Sequence, residues 1–232
     1  MTQPPAKTHV PRMPLIDTVP IPGGGELRLF RDGAHYTIKL ADGSDLMSTR
    51  QHGSEEALAQ LACSRIASHT RARVLVGGLG LGYTLAAALR EVREDAEVAV
   101  AELVPGVVKW NREWLGEFAG HPLRDARTRV HEGDVIAQIK GAKEAWDAIL
   151  LDVDNGPDGL SRESNSWLYG AAGLAAARQS LRVGGILAVW SAHPDPAFTK
   201  RLERAEFSVE EMPVRALGKR GMKHRIWLAT RP

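Results

Sequence analysis

The stretch "VLVGGLGLGYTLAAALREV", residues 74–92, sets Gly77, Gly78, Gly80 and Gly82 between a β-branched apolar run and an alanine-rich helical pattern. A backbone that bare turns sharply and lets a ligand come close to it. The helix predicted to start near Tyr83 adds its free amides and the positive end of its dipole. A phosphate-binding P-loop would end in Gly-Lys-Ser/Thr, which is missing. A dinucleotide loop, G-x-G-x-x-G, would put its third glycine on Tyr83, whose side chain is too bulky for the close helix–strand contact needed there. A tight structural turn is the other reading of the glycines.

On either side of this stretch, apolar strands and helical patterns alternate. "EVAVAEL" is followed by "PGVVKWNREWLGEF", "TRVHEGD" by "VIAQIKGA", "DAILLDV" by "LYGAAGLAAARQSL", and "GGILAVWS" by "PAFTKRLERA". Continuous apolar strands alternating with helices predict a parallel sheet covered on both faces. "SVEEMPVRA" and "HRIWLAT" close the chain with no helix between them, which predicts an antiparallel hairpin at one edge. The expected fold class is α/β: an open, doubly wound, mostly parallel sheet of about seven strands over residues 54–232. "SEEALAQLACSRIASH" leads into it as a helix, with Ser54 and its acids at the N-terminus. Ahead of it, "ELRLF", "HYTIKL" and "DLMS" are separated by "RDG" and "ADG", a hairpin signal. Residues 14–50 are therefore expected to form a small antiparallel β unit of three or so strands. Residues 1–13, rich in proline and polar groups, are expected to be a poorly ordered tail.

Composition excludes several classes. A formal net charge of +2 demands no polyanionic partner. The single cysteine, Cys63, rules out an internal disulfide framework and a cysteine-rich zinc site. The histidines lack metal-ligand spacing, so no metal is expected. No apolar stretch approaches the roughly 18–20 residues that span a bilayer, and "MTQPPAKTHVPRMP" has no apolar signal-peptide core. A cytoplasmic protein is the expectation. The basic run "GKRGMKHR", with Lys219, Arg220, Lys223 and Arg225, reads as a solvated hairpin turn, and nucleic acid is not an expected partner.

Ligands of open α/β sheets bind at the carboxyl ends of strands, and here consecutive strand ends carry chemistry. After the glycine loop comes Glu102, placed to grip the hydroxyls of a ribose. Asp134, in "HEGD", is suited to accept from an adenine amino group. Asp152 and Asp154 follow in "ILLDVDNGPDG". With these acids beside it, the G-x-G-x-G spacing of Gly78, Gly80 and Gly82 resembles the loop of S-adenosylmethionine-binding proteins. Glu102 also has a plainer reading as a solvated strand-end glutamate, and Asp152 as a helix or loop cap after its strand.

Taken together, these segments resemble the polyamine aminopropyltransferases, the spermidine and spermine synthases. "GGLGLG" resembles that family's G-G-G-D-G-G, and "VAELVPGVVKWNREWL" its V-E-I-D-P-x-V-V. "RTRVHEGDV" and "WDAILLDVDNGPDG" look like its next two strand ends, and the resemblance covers about residues 20–230. It implies the methyltransferase-like Rossmann fold with an N-terminal β domain, and transfer of an aminopropyl group from decarboxylated S-adenosylmethionine to an amine. Gly77, Gly78, Gly80, Gly82, Glu102 and Asp134 would hold the nucleoside. Asp152 would be the base and Asp154 its assistant or an amine contact. A homodimer formed through the β unit is also implied. The chain departs from the pattern at Gly80, where Asp is usual, at Asn155, Gly156 and Pro157 in the D-x-x-D-P segment, and at Leu58 and Ala59, where Tyr and His are usual. "SRESNSWLY" is expected to form a lid over the site, with Asn165 or Trp167 reaching inward, or else a surface loop before a helix. Trp190 and Ser191, at the carboxyl edge, are candidates for lining the acceptor pocket, a packing tryptophan being the plainer reading. Two alternatives stay open: a methyltransferase using intact S-adenosylmethionine, and a non-catalytic homologue.

Overall fold

The structure, a computed structural model, describes residues 13–50, 52–153, 163–217 and 220–232. It opens with β1 (Leu15–Pro20), β2 (Glu26–Asp32), β3 (His35–Leu40) and β4 (Asp45–Ser48), an antiparallel sheet in the order β1-β2-β3-β4. The additional strand is β1. Its sequence, LIDTVP, has no clean alternation of polar and apolar residues. It is a strand because Asp17 to Pro20 pair with β2, an instruction that comes from the partner rather than from the segment itself.

Next come α1 (Gly53–Cys63), β5 (Arg73–Gly77), α2 (Tyr83–Glu91), β6 (Glu97–Glu102) and α3 (Pro105–Trp110). They are followed by β7 (Thr128–Glu132), α4 (Val135–Ile139), β8 (Trp146–Leu151), α5 (Glu163–Leu168) and α6 (Ala171–Ser180). The chain ends with β9 (Leu181–Ser191), α7 (Pro196–Arg204), β10 (Ser208–Leu217) and β11 (Arg220–Thr230). The second sheet has seven strands in the order β10-β11-β9-β8-β5-β6-β7. Strands β5 to β9 are parallel, and β11 is antiparallel to both β9 and β10. This is the expected α/β architecture with its hairpin edge. The chain runs outward from β5 through β6 to β7 and then returns to the other side of β5 as β8. The crevice between β5 and β8 is therefore the topological switch point, where open α/β sheets take their ligands.

Both faces of the seven-stranded sheet are packed, which explains why its central strands are apolar without a break. Val74 and Val76 join one core with α1, α2 and α3, whereas Leu75 joins the other with α4, α6 and α7. The same alternation holds for Val98 and Val100 against Ala99 and Ala101, as period-two side-chain geometry requires. The first sheet has no separate core: Val19, Leu27, Leu29, Tyr36 and Ile38 pack into the same cluster as Val107 and Trp110. Asp17 fixes the junction. It accepts from Trp110 Nε1 at 2.9 Å and from Lys109 Nζ at 3.0 Å, and these bonds hold its carboxyl below the usual range.

The two ends of β8 are electrically opposite. Asp147, at its start, is buried and neutralised by Arg182 at 2.6 Å, with the Arg73 amide also donating at 2.7 Å. Among the described residues, Asp152 beyond its end has no cation within ion-pair distance. Among these residues also, no helix is long and apolar enough to cross a membrane.

Candidate active site

The glycine loop is strung between the ends of two neighbouring strands. Gly78 donates to the Ala101 carbonyl at 2.9 Å, and the Gly77 carbonyl accepts from the Asp152 amide at 3.0 Å. Gly78, Gly80 and Gly82 have φ of +89°, +50° and +86°, a region that side chains disfavour. At Gly78 a Cβ would also collide with the Asp152 carbonyl oxygen. The leucines between the glycines are anchors: Leu79 and Leu81 are buried in the core shared by α1, α2 and α3. Two distant residues complete the loop. A Cβ on Gly80 would lie 3.2 Å from Sδ of Met47 on β4. Asn111, at the head of a π-helical turn (Asn111–Leu115), donates its amide to the Gly80 carbonyl at 2.8 Å and to Val107 at 3.0 Å.

The acids at the strand ends occupy different environments. Glu102 is buried, and its two carboxylate oxygens accept from the amides of Leu79 and Val104, each at 2.8 Å. It thus braces the glycine loop from the neighbouring strand. Asp134 is the N-cap of α4 and accepts from the Ile136 amide at 2.9 Å. Asp152 lies under the first turn of α2, where Thr84 Oγ1 donates to its Oδ2 at 2.6 Å. Burial, reinforced by the negative charge of Glu55, pushes the Asp152 carboxyl up to about 7, against the pull of the Thr84 bond. Glu55, on α1, is raised for the same first reason, burial. Two carboxyls that share an enclosed site and resist ionising together form a unit that holds a proton near neutral pH.

Around them stand Ser54 and Trp190, both named from the sequence, and His224, His52 and Tyr83, which the motifs did not mark as site residues. Ser54 Oγ donates to Glu55 Oε2 at 2.6 Å and lies 3.0 Å from Nδ1 of His224 on β11. Trp190 meets the His224 ring edge-on, with centroids 4.8 Å apart. Tyr83 stacks on His52 at 4.1 Å and donates to the Thr49 carbonyl at 3.3 Å. Ser54 differs from its expected role: the helix N-cap is His52, with no side-chain cap bond, and the serine sits inside α1 facing β11. The signal for His224 was present in the alternation of "HRIWLAT", which puts His224 on the inward face with Ile226 and Leu228.

Other candidates lie elsewhere. Leu58 and Ala59 are fully buried core residues of α1. Trp167 packs against the second core under Lys140, whose Nζ is 4.9 Å from the ring centroid. Ser191 donates to the His193 carbonyl at 2.9 Å. Asp154, Asn155, Gly156, Pro157 and Lys219 lie outside the described residues, as do the side chains of Asn165 and Arg220.

The fold is that of the spermidine synthases. A spermidine synthase solved in complex with the transition-state analogue AdoDATO superposes with a TM-score of 0.73 at 16% identity, covering 94% of this chain and 72% of that one. Spermidine synthase from Thermotoga maritima gives 0.72 at 15% identity, with 94% and 73% covered. A probable spermidine synthase from Corynebacterium glutamicum gives 0.62 at 17%, with 96% and 81% covered. In sequence, the chain is similar to polyamine aminopropyltransferase 2 of Aquifex aeolicus, 26% identical over 129 residues. That match spans 54% of this chain but only 25% of the relative, about a quarter of its length. No protein-family profile matches the chain.

Proposed function

We propose that the protein is a transferase that moves an aminopropyl group from decarboxylated S-adenosylmethionine to an amine, as in polyamine biosynthesis. The observation that carries this reading is Asp152: a carboxyl held near neutrality at the switch point, between the glycine loop and Glu55. An alkylammonium has no lone pair, so the acceptor must lose a proton before it can attack. A carboxylate whose affinity lies near ambient pH takes that proton efficiently. The amine nitrogen then attacks the propyl carbon on the sulfonium, the carbon–sulfur bond breaks, and neutral methylthioadenosine leaves. Holding donor and acceptor in line supplies much of the acceleration.

In this reading Gly77, Gly78, Gly80 and Gly82 form the nucleoside cradle, Glu102 takes the ribose hydroxyls, and Asp134 receives the adenine amino group. Asp154 is assigned to assist the base. The loop amides of Gly78, Leu79 and Gly82 are already bonded to Ala101, Glu102 and Leu79. Fewer amides are thus left for the amino-acid carboxylate of intact S-adenosylmethionine, which favours the decarboxylated donor. The proposal extends to a homodimer, since Leu15 and Ile16 are exposed on the edge strand β1. It also extends to a cytoplasmic location and to a division into a tail (1–13), a β unit (14–50) and an α/β domain (54–232).

Calorimetric titration with S-adenosylmethionine, its decarboxylated form and methylthioadenosine, followed by turnover with a panel of amines, tests this reading. Preference for the decarboxylated donor and product formation with an amine support it. Preference for intact S-adenosylmethionine sinks it and selects the methyltransferase alternative.

A further inference from the structure

The carboxyl pair is connected to an imidazole that the transfer chemistry does not use. Ser54, 1% exposed, is bonded on one side to Glu55 and on the other to His224, 8% exposed. Those two bonds fix a tautomer. While the serine proton goes to Glu55, the oxygen can only accept from His224, so the imidazole carries its hydrogen on Nδ1. Once Glu55 is protonated, every bond can reverse: Glu55 donates to Ser54, and Ser54 donates to a bare Nδ1. A hydroxyl between two titrating groups, with both arrangements available, is a proton wire of one link.

We propose that Ser54 relays a proton between Glu55 and His224, making this imidazole the proton acceptor coupled to the Asp152–Glu55 pair. The proposal rests on the reading of Asp152 as the base, and its proton balance closes. Asp152 takes one proton from the acceptor ammonium and becomes neutral. Relieved of that negative charge, Glu55 releases its own proton to Ser54 while Ser54 passes its hydrogen to Nδ1. The products are free amine, neutral Asp152, ionised Glu55 and imidazolium, which returns its proton to solvent. No electron pair leaves the chain.

The surroundings support such exchange. From α1, His224 faces Ser54 and Glu55, and Glu55 in turn feels His52 and Glu56. From the carboxyl end of β9 it meets Trp190, with His193 beyond. On β10 its cross-strand neighbour is Val214. Lys223 and Arg225 flank it on its own strand and, by alternation, face the other side of the sheet. Burial, then His193, lowers the proton affinity of His224, while burial raises those of Glu55 and Asp152. These shifts narrow the ordinary gap between the imidazole and the two carboxyls. Ser54 and His224 are positioning residues in this scheme, because neither touches the reacting atoms.

The test is an NMR titration of the full chain with labelled histidine, without donor or acceptor, assigning the His224 resonance among the eight histidines by its loss in His224→Asn. Glu55→Gln removes the nearest negative charge and should lower the His224 midpoint. Asp152→Asn leaves the pair's charge wholly on Glu55 and should raise it, each shift being about half a pH unit or more. Ser54→Ala should shrink both shifts. A His224 curve that neither carboxyl variant moves overturns the proposal. So do shifts undiminished in Ser54→Ala, since the charge would then act through space. Because the titration needs no turnover, expected shifts without aminopropyl transfer to any amine would overturn the proposed function alone.

Discussion

The hydroxyl of Thr84 donates to Oδ2 of Asp152 at 2.6 Å, tying the first turn of α2 to the end of β8. It favours the ionised carboxyl against burial and the charge of Glu55. Thr84→Val should therefore raise the Asp152 midpoint above about 7, and Glu55→Gln should lower it. If Asp152 is the base, the acid limb of the pH–rate profile moves in these opposite directions, by about one unit each. Measuring kcat/KM between pH 5 and 9 in both variants checks this. A limb that stays in place in both disconnects Asp152 from turnover.

Asp152 also makes stability depend on pH, with a sign opposite to the usual aspartate. Its folded affinity is about 7 against an ordinary 3.8, so between these values the unfolded chain has released a proton that the folded chain retains. Stability falls as pH rises through that window and levels off above about 7. Asp152→Asn, neutral throughout, should match the wild type at pH 4 and exceed it at pH 8. The melting temperature should gain about 2–4 °C for each kcal/mol relieved. Thermal unfolding at the two pH values decides the matter.

Gly80→Asp would install the residue usual in spermidine synthases where φ is +50° and Met47 Sδ crowds the position. Alone it should cost about 1–3 kcal/mol. Combined with Met47→Ala it should recover part of that loss. Chemical denaturation of the single and double variants measures the coupling, and strict additivity would mean that Met47 is not the obstacle.

Asn111→Ala frees the Gly80 carbonyl and removes a buried bond worth about 1 kcal/mol net. Donor affinity should fall about tenfold with kcat nearly unchanged, because the loop is mis-set while the carboxyls are untouched. A loss confined to kcat would count against this role.

Glu102→Gln leaves one oxygen for the two amides of Leu79 and Val104 and turns an N–H against the other. It should weaken methylthioadenosine binding at least tenfold and lower stability by about 1–3 kcal/mol. Calorimetry and denaturation separate the two effects. Unchanged binding in a destabilised protein would assign Glu102 to bracing alone.

The frame of this site was legible because its signals are local. Gly77 to Gly82, Glu102 and Asp152 each follow an apolar run, and Asp134 follows the more polar "TRVHEG". Strand ends in a doubly wound sheet lie along one edge without any long-range information. What escaped reading depends on pairings that sequence spacing does not encode. Met47 reaches Gly80 from another sheet, Asn111 reaches it from a π-helical turn inside "VVKWNREW", and Ser54 meets His224 across 170 positions. Ser54 looked like a helix cap because serine before glutamates usually is one. Its hydroxyl had instead a buried carboxyl and an imidazole to satisfy. Leu58 and Ala59, where Tyr and His were expected by resemblance, answer to the core shared with α2, and Tyr83 and His52 supply the aromatic stack nearby.

Met47 over Gly80 has a thermodynamic corollary. The four-stranded sheet is held to α3 through Asp17 and Val19 and touches the glycine loop through β4. Docking of β1–β4 and the shape of the loop are thus coupled. By reciprocity, whatever factor a docked sheet adds to a ligand's grip on the loop, the ligand returns to the docking. An occupied loop would protect β1–β4 from exchange and proteolysis at a distance, with no contact to most of the residues it protects.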